Sequence, residues 1–458
     1  MTAPLNRAAF DIPTKVRPEA LLRRAGRAPS RAGVTAKLAR STFNRLLSRL
    51  RTEQLTIIDR DGSKTTYRGE RRLDDDNVDP VDATRSDGLE WLEAELTVHD
   101  DRAWSAVLAE GSIGLGRGYI EGWWTSDDPV TLLRVITRNL RGLDELRNRW
   151  EWATGGITNR IHQLMPGPGR AKNREDISSH YDLGNDFFAL FLDETMTYSA
   201  AVFEHPAAGL ATASLSKYDR LLAKLGVSAN TSVLEIGTGW GGMAIRAAQT
   251  AGCHVTSTTI SEQQRHEAQR RVDAAGLDQQ VSILGRDWRD LEGRYDRVVS
   301  IEMIEAVHWR DYERFFAAVS RRLKPTGLVG LQAICVPDRR YERTKKTEDF
   351  IRRYVFPGGN LPSIGAITAA VARATRMQIV DVEDFSSHYA ETLAQWRHRF
   401  DTCLAEIHQL GLDDRFCRLW RFYLAYCEAG FRERHCTVNQ FVLAGPDWRP
   451  NGLSLRPC

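Results

Sequence analysis

Residues 231–242, TSVLEIGTGWGG, constrain the fold of this 458-residue chain more than any other stretch. The apolar run from Val233 to Ile236 is typical of a buried parallel strand, and glycines and then the helix-like segment MAIRAAQT follow it. Glycine has no Cβ, so a glycine-rich turn between strand and helix lets backbone N–H groups approach a ligand. The candidate ligand contacts here are Glu235, Gly237, Gly239 and Gly241. An acid before these glycines favours a cationic, carboxylate-bearing cofactor such as S-adenosylmethionine, although a tight turn without a ligand would show the same glycines.

The second half of the chain alternates short apolar runs with helix-like segments. The predicted strands are 232–236, 254–259, 281–284, 297–301 and 327–335. This alternation predicts an α/β fold, a doubly wound Rossmann-like domain with a mostly parallel sheet. Ligands in such sheets bind beyond the carboxyl ends of the strands, so residues that directly follow each strand are the candidate site residues.

The N-terminal part has a different pattern. Residues 53–67 alternate around Asp61-Gly62 and predict a hairpin, residues 96–98 predict a strand, and Asp128-Pro129 predicts a helix start. We therefore expect a basic arm over 1–51, a small α+β domain over 52–165, and the Rossmann-like domain over 166–458. An Arg/Lys-rich insertion near 337–375 interrupts the last domain.

Charge is distributed unevenly along the chain. The net charge of +3 gives no reason to expect a nucleic-acid partner, but residues 1–51 hold twelve Lys/Arg against two acids. Residues 34–50 could form an interfacial helix on an anionic membrane or a helix docked on its own domain. Seven cysteines without a CxxC pair fit reduced cytoplasmic thiols, and no metal site is predicted. We expect a cytoplasmic protein, peripheral at the inner face of the membrane.

Several blocks of the chain lie in the order of a known family. They are GLGRGYIEGWW (114–124), HYDLGNDFFALFLDETMTYSAAVF (180–203), VLEIGTGWGG (233–242), TTISEQQ (258–264), SIEMIEAV (300–307), YVFPGGNLPS (354–363), HYAETLAQW (388–396) and YCEAGFRERHCTVNQF (426–441). Together they resemble the cyclopropane-fatty-acid synthase family of S-adenosylmethionine-dependent lipid-modifying enzymes. The resemblance implies methyl transfer to the double bond of an unsaturated acyl chain, usually within a phospholipid.

The resemblance also implies a set of cofactor contacts. Beyond the glycine loop, these are Tyr198, Ser199, Thr259, Ile260, Gln264, Asp287 and Trp288. Asp287 and Trp288 follow the third predicted strand, where the resemblance implies that they contact the adenine. The aromatics Phe187, Phe188, Phe191, Phe203, Tyr354, Phe356 and Trp396 are candidate walls for an acyl chain, or core residues.

In cyclopropane synthases a bicarbonate ion, held by Cys, Glu, His and Tyr, is the base. The matching positions here are Ala200, Glu305, Gln332 and Tyr389. Since the thiol and the imidazole are missing, bicarbonate is doubtful and Glu305 is the residue expected to be essential. Cys427 matches a family cysteine, which we interpret as lining the pocket or packing.

Glu302 lies three residues before Glu305. The two carboxylates could share a face and raise one pKa, or Glu302 could be a capping or surface acid. The departures at 200 and 332 resemble the branch of the family that makes 10-methylene fatty acids, precursors of tuberculostearic-type 10-methyl lipids. A separate reductase would complete that product. Cyclopropane formation and a non-catalytic lipid- or cofactor-binding role are the alternatives, and a homodimer through the N-terminal domain is possible.

Overall fold

The computed structural model describes residues 36–48, 53–69, 90–139 and 183–450. The first part of the basic arm and the predicted linker near residue 165 lie outside these ranges. No helix within the described ranges is long and apolar enough to cross a membrane.

A four-stranded sheet organises the N-terminal unit. Its strands are β1 (Gln54–Ile58), β2 (Lys64–Arg68), β3 (Glu93–Val98) and β4 (Trp124–Thr125), in the order β2-β1-β3-β4. The predicted hairpin is confirmed, because β1 and β2 pair antiparallel from Gln54–Arg68 to Ile58–Lys64. The helices of the unit are α1 (Ala36–Leu47), α2 (Arg102–Glu110), α3 (Ser112–Ile120) and α4 (Pro129–Arg138). Asp128 caps α4 by accepting a hydrogen bond from the Thr131 N–H, as the Asp-Pro signal predicts.

Helix α1 packs on its own unit. Ala39 and Phe43 are buried, and the Phe43 ring lies 5.4 Å from that of Trp104. Arg40 forms an ion pair with Asp59 at 2.7 Å. These contacts support the docked alternative for α1, and contact of its remaining apolar residues with a membrane stays a prediction.

A seven-stranded sheet forms the centre of the larger unit. Its strands are β5 (Ser232–Ile236), β6 (His254–Thr258), β7 (Val281–Leu284), β8 (Tyr295–Ile301), β9 (Leu323–Cys335), β10 (Gln378–Asp384) and β11 (Thr437–Ala444), in the order β10-β11-β9-β8-β5-β6-β7. The five predicted strands are confirmed. Neighbouring strands among β5 to β9 pair in parallel. The sequence did not reveal β10 and β11, which pair antiparallel at one edge.

Helices flank this sheet on both faces. They are α5 (Asn185–Phe191), α6 (Leu210–Leu225), α7 (Gly242–Ala251), α8 (Glu262–Ala274), α9 (Tyr312–Arg322), α10 (Asp338–Thr344), α11 (Ile364–Ala374), α12 (Ser386–Thr402), α13 (Leu404–Gln409) and α14 (Asp414–Arg432). The Arg/Lys-rich insertion corresponds to α10, a π-helical turn (Ile351–Val355) and α11, all between β9 and β10.

The two units share one hydrophobic core. Helix α14 inserts Phe422 beside Tyr119 and Trp124 of the N-terminal unit, with ring centroids 5.6 and 6.1 Å apart. At the end of α14, the Glu433 carboxylate accepts hydrogen bonds from Arg134 at 2.7 Å and Arg138 at 2.5 Å, both on α4. The N-terminal unit is therefore held by apolar packing and by an ion-pair cluster.

Candidate active site

A cavity of about 1100 Å³ opens at the carboxyl ends of the parallel strands. Its lining includes the loops after β5, β6, β7 and β8, the insertion, and the inner face of α14. Helices of the N-terminal unit also contribute, with the apolar side chains Val107, Leu108, Leu133 and Ile136. The part of the lining beside the glycine loop therefore suits a cofactor, and the part from the N-terminal unit is apolar.

The glycine loop takes backbone conformations that side chains rarely adopt. Gly237 has φ +103, and a Cβ added there would lie 3.0 Å from the Cβ and Cγ of Met303. Gly239 has φ +53, and no heavy atom would lie within 4 Å of a Cβ added there. The Gly237 and Thr238 N–H groups donate to the Thr258 carbonyl at the end of β6. Packing thus requires glycine at 237, whereas the open space at 239 is where a ligand could approach.

Nearly all the predicted cofactor residues line the cavity. They are Tyr198, Ser199, Glu235, Gly237, Gly239, Thr259, Ile260, Gln264, Asp287 and Trp288. The exception is Gly241, whose added Cβ would lie 3.3 Å from the Ala268 Cβ on α8. This glycine permits φ +86 at the start of α7 and close packing of α8, and its contact with the cofactor stays a prediction.

The residues after β6 and β7 are held by local bonds. Thr259 Oγ1 donates to Gln264 Oε1 at 3.0 Å, and Ser261 caps α8 by accepting from the Gln264 N–H. Asp287 pairs with Arg289 at 2.8 Å, and the Arg289 guanidinium lies 4.4 Å from the centre of the Trp288 ring. Trp288 is thereby fixed beside the cavity in a position suited to an aromatic ligand.

The buried acid Glu235 lies on β5 beneath the loop. Burial raises its pKa to about 8, against the opposing effects of a hydrogen bond from Ser257 and the charge of Lys217. Lys217 on α6 is itself fully buried, and its Nζ donates to Ser199 Oγ at 2.6 Å. Sequence reasoning missed Lys217. The available signal was a lysine on the apolar face that Ala213 and Leu221 define.

Glu302 is the hydrogen-bonding centre of the catalytic region. Its Oε1 accepts from the Ala200 N–H at 2.9 Å and from Gln332 Nε2 at 2.7 Å. Its Oε2 accepts from the Tyr389 hydroxyl at 2.9 Å. The segment does not continue as a helix, since Glu302 has φ +48 and only a 3₁₀ turn (Ile304–Ala306) follows. The alternative of a capping or surface acid is wrong.

Glu305 lies in a different environment. Its Oε1 accepts from the Ile334 N–H at 2.6 Å, while its buried Oε2 has no hydrogen-bond partner within the described ranges. Burial, with the charge of Glu302, raises the pKa of Glu305 to about 8. Glu302 and Glu305 are each partly exposed, and both line the cavity, so their exposed surface faces the cavity interior. The expected shared helical face is absent, but the charge of Glu302 adds to the larger effect of burial on the pKa of Glu305.

The remaining predicted catalytic residues separate into two groups. Tyr389 and Cys427 line the cavity. Burial raises the pKa of the Cys427 thiol well above its usual value, which fits a wall residue and not a thiolate nucleophile. Gln332 is fully buried in β9 and does not line the cavity; it reaches Glu302 and accepts from Gln440 Nε2 at 3.2 Å. Gln332 thus bonds to the Glu302 carboxylate from within the sheet, and its direct part in catalysis stays a prediction.

Most of the predicted acyl-chain walls belong to the core instead. Of the seven aromatics, only Phe356 lines the cavity. Phe187, for example, packs edge-on against Trp420 at 4.9 Å. The observed walls include Met196, Leu393, Tyr423, Tyr426 and Phe431, together with apolar residues of the N-terminal unit. Sequence cannot distinguish a buried aromatic from one that faces a cavity, because both follow the same periodicity.

The basic residues of the insertion also lie at the cavity. Five of them line it, namely Arg339, Arg340, Arg343, Lys345 and Arg352. Arg340 donates to the His435 carbonyl at 2.9 Å, and Arg352 donates to the Thr347 carbonyl at 2.6 Å. These two contacts are to backbone carbonyls, whereas Lys345 forms an ion pair with Glu342 at 2.6 Å.

The sequence matches the family model of mycolic acid cyclopropane synthetase over residues 169–441. The chain belongs to this family. This cyclopropane synthetase family member is 45% identical over 340 residues to the tuberculostearic acid methyltransferase UfaA1 of Mycobacterium tuberculosis, covering 73% of this chain and 79% of that protein. It is 35% identical over 358 residues to the cyclopropane-fatty-acyl-phospholipid synthase of Escherichia coli K12, covering 77% and 88%.

Solved structures agree with this assignment. The mycolic acid cyclopropane synthase CmaA1 complexed with SAH and CTAB superimposes with a TM-score of 0.56 and 30% identity, covering 61% of this chain and 99% of that chain. The cyclopropane synthase MmaA2 from Mycobacterium tuberculosis gives 0.56 and 30%, covering 59% and 98%. The chain is an S-adenosylmethionine-dependent methyltransferase with a Rossmann-like fold.

The residues at the bicarbonate position do not fit that ion. Position 200 has no thiol, and Gln332 lies behind Glu302. The donors Ala200 N–H, Gln332 Nε2 and Tyr389 hydroxyl are all bonded to the Glu302 carboxylate. The expectation that bicarbonate is doubtful agrees with this geometry.

Proposed function

We propose that this methyltransferase transfers the methyl group of S-adenosylmethionine to the double bond of an unsaturated phospholipid acyl chain and releases a methylene-branched chain. The observation that carries the proposal is the composition of the cavity. One continuous lining joins the glycine loop, the acid pair of Glu302 and Glu305, the apolar side chains of the N-terminal unit and the five basic residues of the insertion. Such a lining suits a cofactor, a reacting alkene, an acyl chain and a phosphate.

The chemistry needs alignment more than activation. An alkene is a weak nucleophile, so the site must hold the S–CH₃ bond in line with the π bond. Transfer leaves a carbocation, which the faces of Tyr389, Tyr423 and Phe431 and the charge of Glu302 would stabilise. An apolar cavity also keeps out water that would trap the cation.

The branched product is supported by the relative UfaA1, named a tuberculostearic acid methyltransferase, which is more similar to this chain than the cyclopropane synthase of Escherichia coli is. A separate reductase would then complete a 10-methyl chain. Cyclopropane formation is the second candidate, supported by the 35% identity to that synthase and by the retained Glu305 and Tyr389.

The test is incubation of the protein with S-adenosylmethionine and vesicles of dioleoyl phosphatidylglycerol. We expect release of S-adenosylhomocysteine and a lipid heavier by one CH₂, whose NMR spectrum shows exocyclic methylene protons. Vesicles with only saturated chains are the control and should give no release. Cyclopropane ring protons would identify the second candidate, and no release with oleoyl chains would reject both.

Peripheral attachment to the membrane is part of the proposal. The apolar cavity must receive a chain from a bilayer, and the basic residues beside it suit an anionic lipid surface. Binding to anionic vesicles should weaken at high salt, because screening reduces the attraction between exposed charges and the surface. Salt-independent binding would contradict it. A homodimer through the N-terminal unit stays a prediction.

A further inference from the structure

Glu302 has a backbone conformation that its residue type rarely takes. Its φ of +48 lies in the left-handed region, which glycine adopts at no steric cost and which crowds the Cβ of other residues. Such a conformation persists when the surroundings fix it. Here a main-chain bond from the Glu302 N–H to the Gln332 carbonyl at 2.8 Å and the three bonds to its carboxylate do so.

The bonds to the carboxylate leave one position open. A carboxylate has about four lone-pair sites, two on each oxygen. On Oε1 both sites are taken, by the Ala200 N–H and by Gln332. On Oε2 the Tyr389 hydroxyl takes one. The second lone-pair site of Oε2 has no donor among the described residues. Because the Glu302 side chain lines the cavity, this site can accept a proton from a bound molecule.

The same contacts favour the charged form of Glu302. The Ala200 N–H can only donate, and the amide of Gln332 presents its NH₂ group to the carboxylate. A neutral carboxyl would lose acceptor strength toward three donors, whereas the carboxylate satisfies all of them. Burial, the largest effect, raises the pKa of Glu302, and the charge of Lys217 and the hydrogen bonds from Ala200, Gln332 and Tyr389 oppose it. The other charged or titratable group that faces it, Glu305 on the neighbouring 3₁₀ turn, has its pKa raised to about 8.

A carboxylate and a bicarbonate ion present the same planar O–C–O group. In the family that this chain resembles, bicarbonate is the base and is held by side chains. In this chain the corresponding donors hold the side chain of Glu302 instead. We infer that Glu302 is the proton-abstracting base of this enzyme and takes the place of the bicarbonate ion. The inference rests on the proposed function, since a base is needed only if the alkene is methylated.

The step balances with the groups that are present. The sulfonium S–CH₃ bond breaks and its electron pair stays on sulfur, giving S-adenosylhomocysteine, while the π pair of the alkene forms the new C–C bond. A hydride moves from the methyl-bearing carbon to the neighbouring cationic carbon. A C–H bond of the new methyl then breaks, its pair forms the exocyclic C=C bond, and its proton goes to Glu302 Oε2. Release of the product lets this proton pass to solvent.

The first experiment compares rates with and without bicarbonate. The wild-type protein is assayed on dioleoyl phosphatidylglycerol vesicles in carbon-dioxide-free buffer under nitrogen, and again with added bicarbonate. We expect the same rate of S-adenosylhomocysteine release in both buffers. A rate that falls by ten-fold or more without bicarbonate would overturn the inference. No release in either buffer would reject the proposed function itself, which separates the two failures.

The second experiment replaces the carboxylate. Glu302→Gly accommodates the positive φ and leaves space for an ion, so its rate should fall at least 100-fold and recover at least ten-fold with added bicarbonate or formate. Glu302→Gln fills the same space without a base and should fall equally without recovery. Glu391→Gln, an exposed acid on α12, is the matched control and should keep the wild-type rate.

Titration of each variant with S-adenosylhomocysteine shows whether its fold and cofactor site are intact. A Glu302→Gln variant that binds the cofactor product normally and keeps the wild-type rate would overturn the inference. So would a folded, binding-competent Glu302→Gly variant that no added ion rescues. A purely structural role for Glu302 would lower the rate of both variants without rescue by an anion.

Discussion

Two acids three residues apart have different hydrogen-bonding surroundings in this molecule, although burial raises the pKa of both. Glu302 accepts three hydrogen bonds, whereas Glu305 accepts one and has a buried oxygen without a partner in the described ranges. Pairs of titratable groups whose surroundings separate their pKa values often mark the base and the acid of a site. The sequence predicted that Glu305 is essential, and this stays a prediction. If Glu305 is neutral, Glu302 is the only negative charge of the pair beside the carbocation that methyl transfer would leave.

The raised pKa of Glu305 predicts a pH-dependent stability. Its pKa rises from 4.5 to about 8 on folding, so the folded state holds the proton more tightly than the unfolded chain does. This contribution is complete below about pH 4.5 and is lost as the pH rises to about 8. Glu305→Gln should remove it, and the free energy of unfolding of the wild type should fall more steeply across this range, by up to about 1.4 kcal/mol per pH unit. Urea denaturation at several pH values measures both slopes; parallel curves would contradict the prediction.

Gln332 should act through the protonation of Glu302. Its amide donates to Oε1, and this bond lowers the pKa of Glu302 against the larger effect of burial. Gln332→Met keeps the volume but removes the donor, so the pKa of Glu302 should rise. We expect kcat to fall about 10-fold at neutral pH, equivalent to about 1.4 kcal/mol, and to recover as the pH is raised.

A pH–rate profile is the measurement for Gln332→Met, with Gln409→Met on exposed helix surface as the control. A loss that is equal at every pH would indicate structural damage and would count against the positioning role. Affinity for S-adenosylhomocysteine should not change, because Gln332 does not line the cavity.

At the scale of elements, the loop between β5 and α7 contains two glycines, Gly237 and Gly239, that are needed for different reasons. Gly237 needs its missing Cβ for protein packing, since Met303 would lie 3.0 Å away. Gly239 has open space around it. Gly237→Ala should therefore destabilise the protein by about 1–3 kcal/mol through strain and crowding. Gly239→Ala should fold with a smaller loss but bind S-adenosylmethionine at least ten-fold more weakly, because its Cβ would enter the ligand space.

Thermal unfolding and isothermal titration distinguish the two glycine variants. A large loss of affinity with only a small loss of stability is expected only at 239. The same affinity in Gly239→Ala and the wild type would show that the cofactor does not approach this position.

How much the sequence could predict differs from element to element. Strands β5 and β7 were predicted with their observed bounds, because each is a short apolar run between turn signals. Strand β11 was missed although it is almost fully buried, because Asn439 and Gln440 interrupt its apolar pattern. Strand β10 was missed because Val380 and Val382 are exposed at the sheet edge. The role of Glu302 was equally hidden, since its positive φ and its partners on three distant segments cannot be read from spacing.

At the scale of the whole molecule, the N-terminal unit completes the cavity. The solved cyclopropane synthases match about three fifths of this chain, whereas the cavity also includes Val107, Leu108, Leu133 and Ile136 from α2 and α4. An acyl chain that enters from a bilayer would therefore contact both units, and their relative position should control access to the lipid.

The glycine-rich helix α3 provides a test of this coupling. A Cβ added at Gly116 would lie 2.2 Å from the ring of Phe350 and 3.0 Å from that of Phe422 on α14. Phe350 is fully buried and cannot move aside, so Gly116→Ala should force the units apart at a cost of about 1–3 kcal/mol. We expect a lower melting temperature and slower turnover of vesicle lipid, with unchanged affinity for S-adenosylhomocysteine, since Gly116 does not line the cavity.

Gly209→Ala is the matched control for Gly116→Ala, because Gly209 has a negative φ and no heavy atom within 4 Å of an added Cβ. Stability and turnover should both stay at wild-type values there. If Gly116→Ala lowered the affinity for S-adenosylhomocysteine as much as the turnover, the damage would extend to the sheet, and the N-terminal unit would not act specifically on the lipid. If turnover stayed normal despite the loss of stability, lipid access would not depend on how the two units pack.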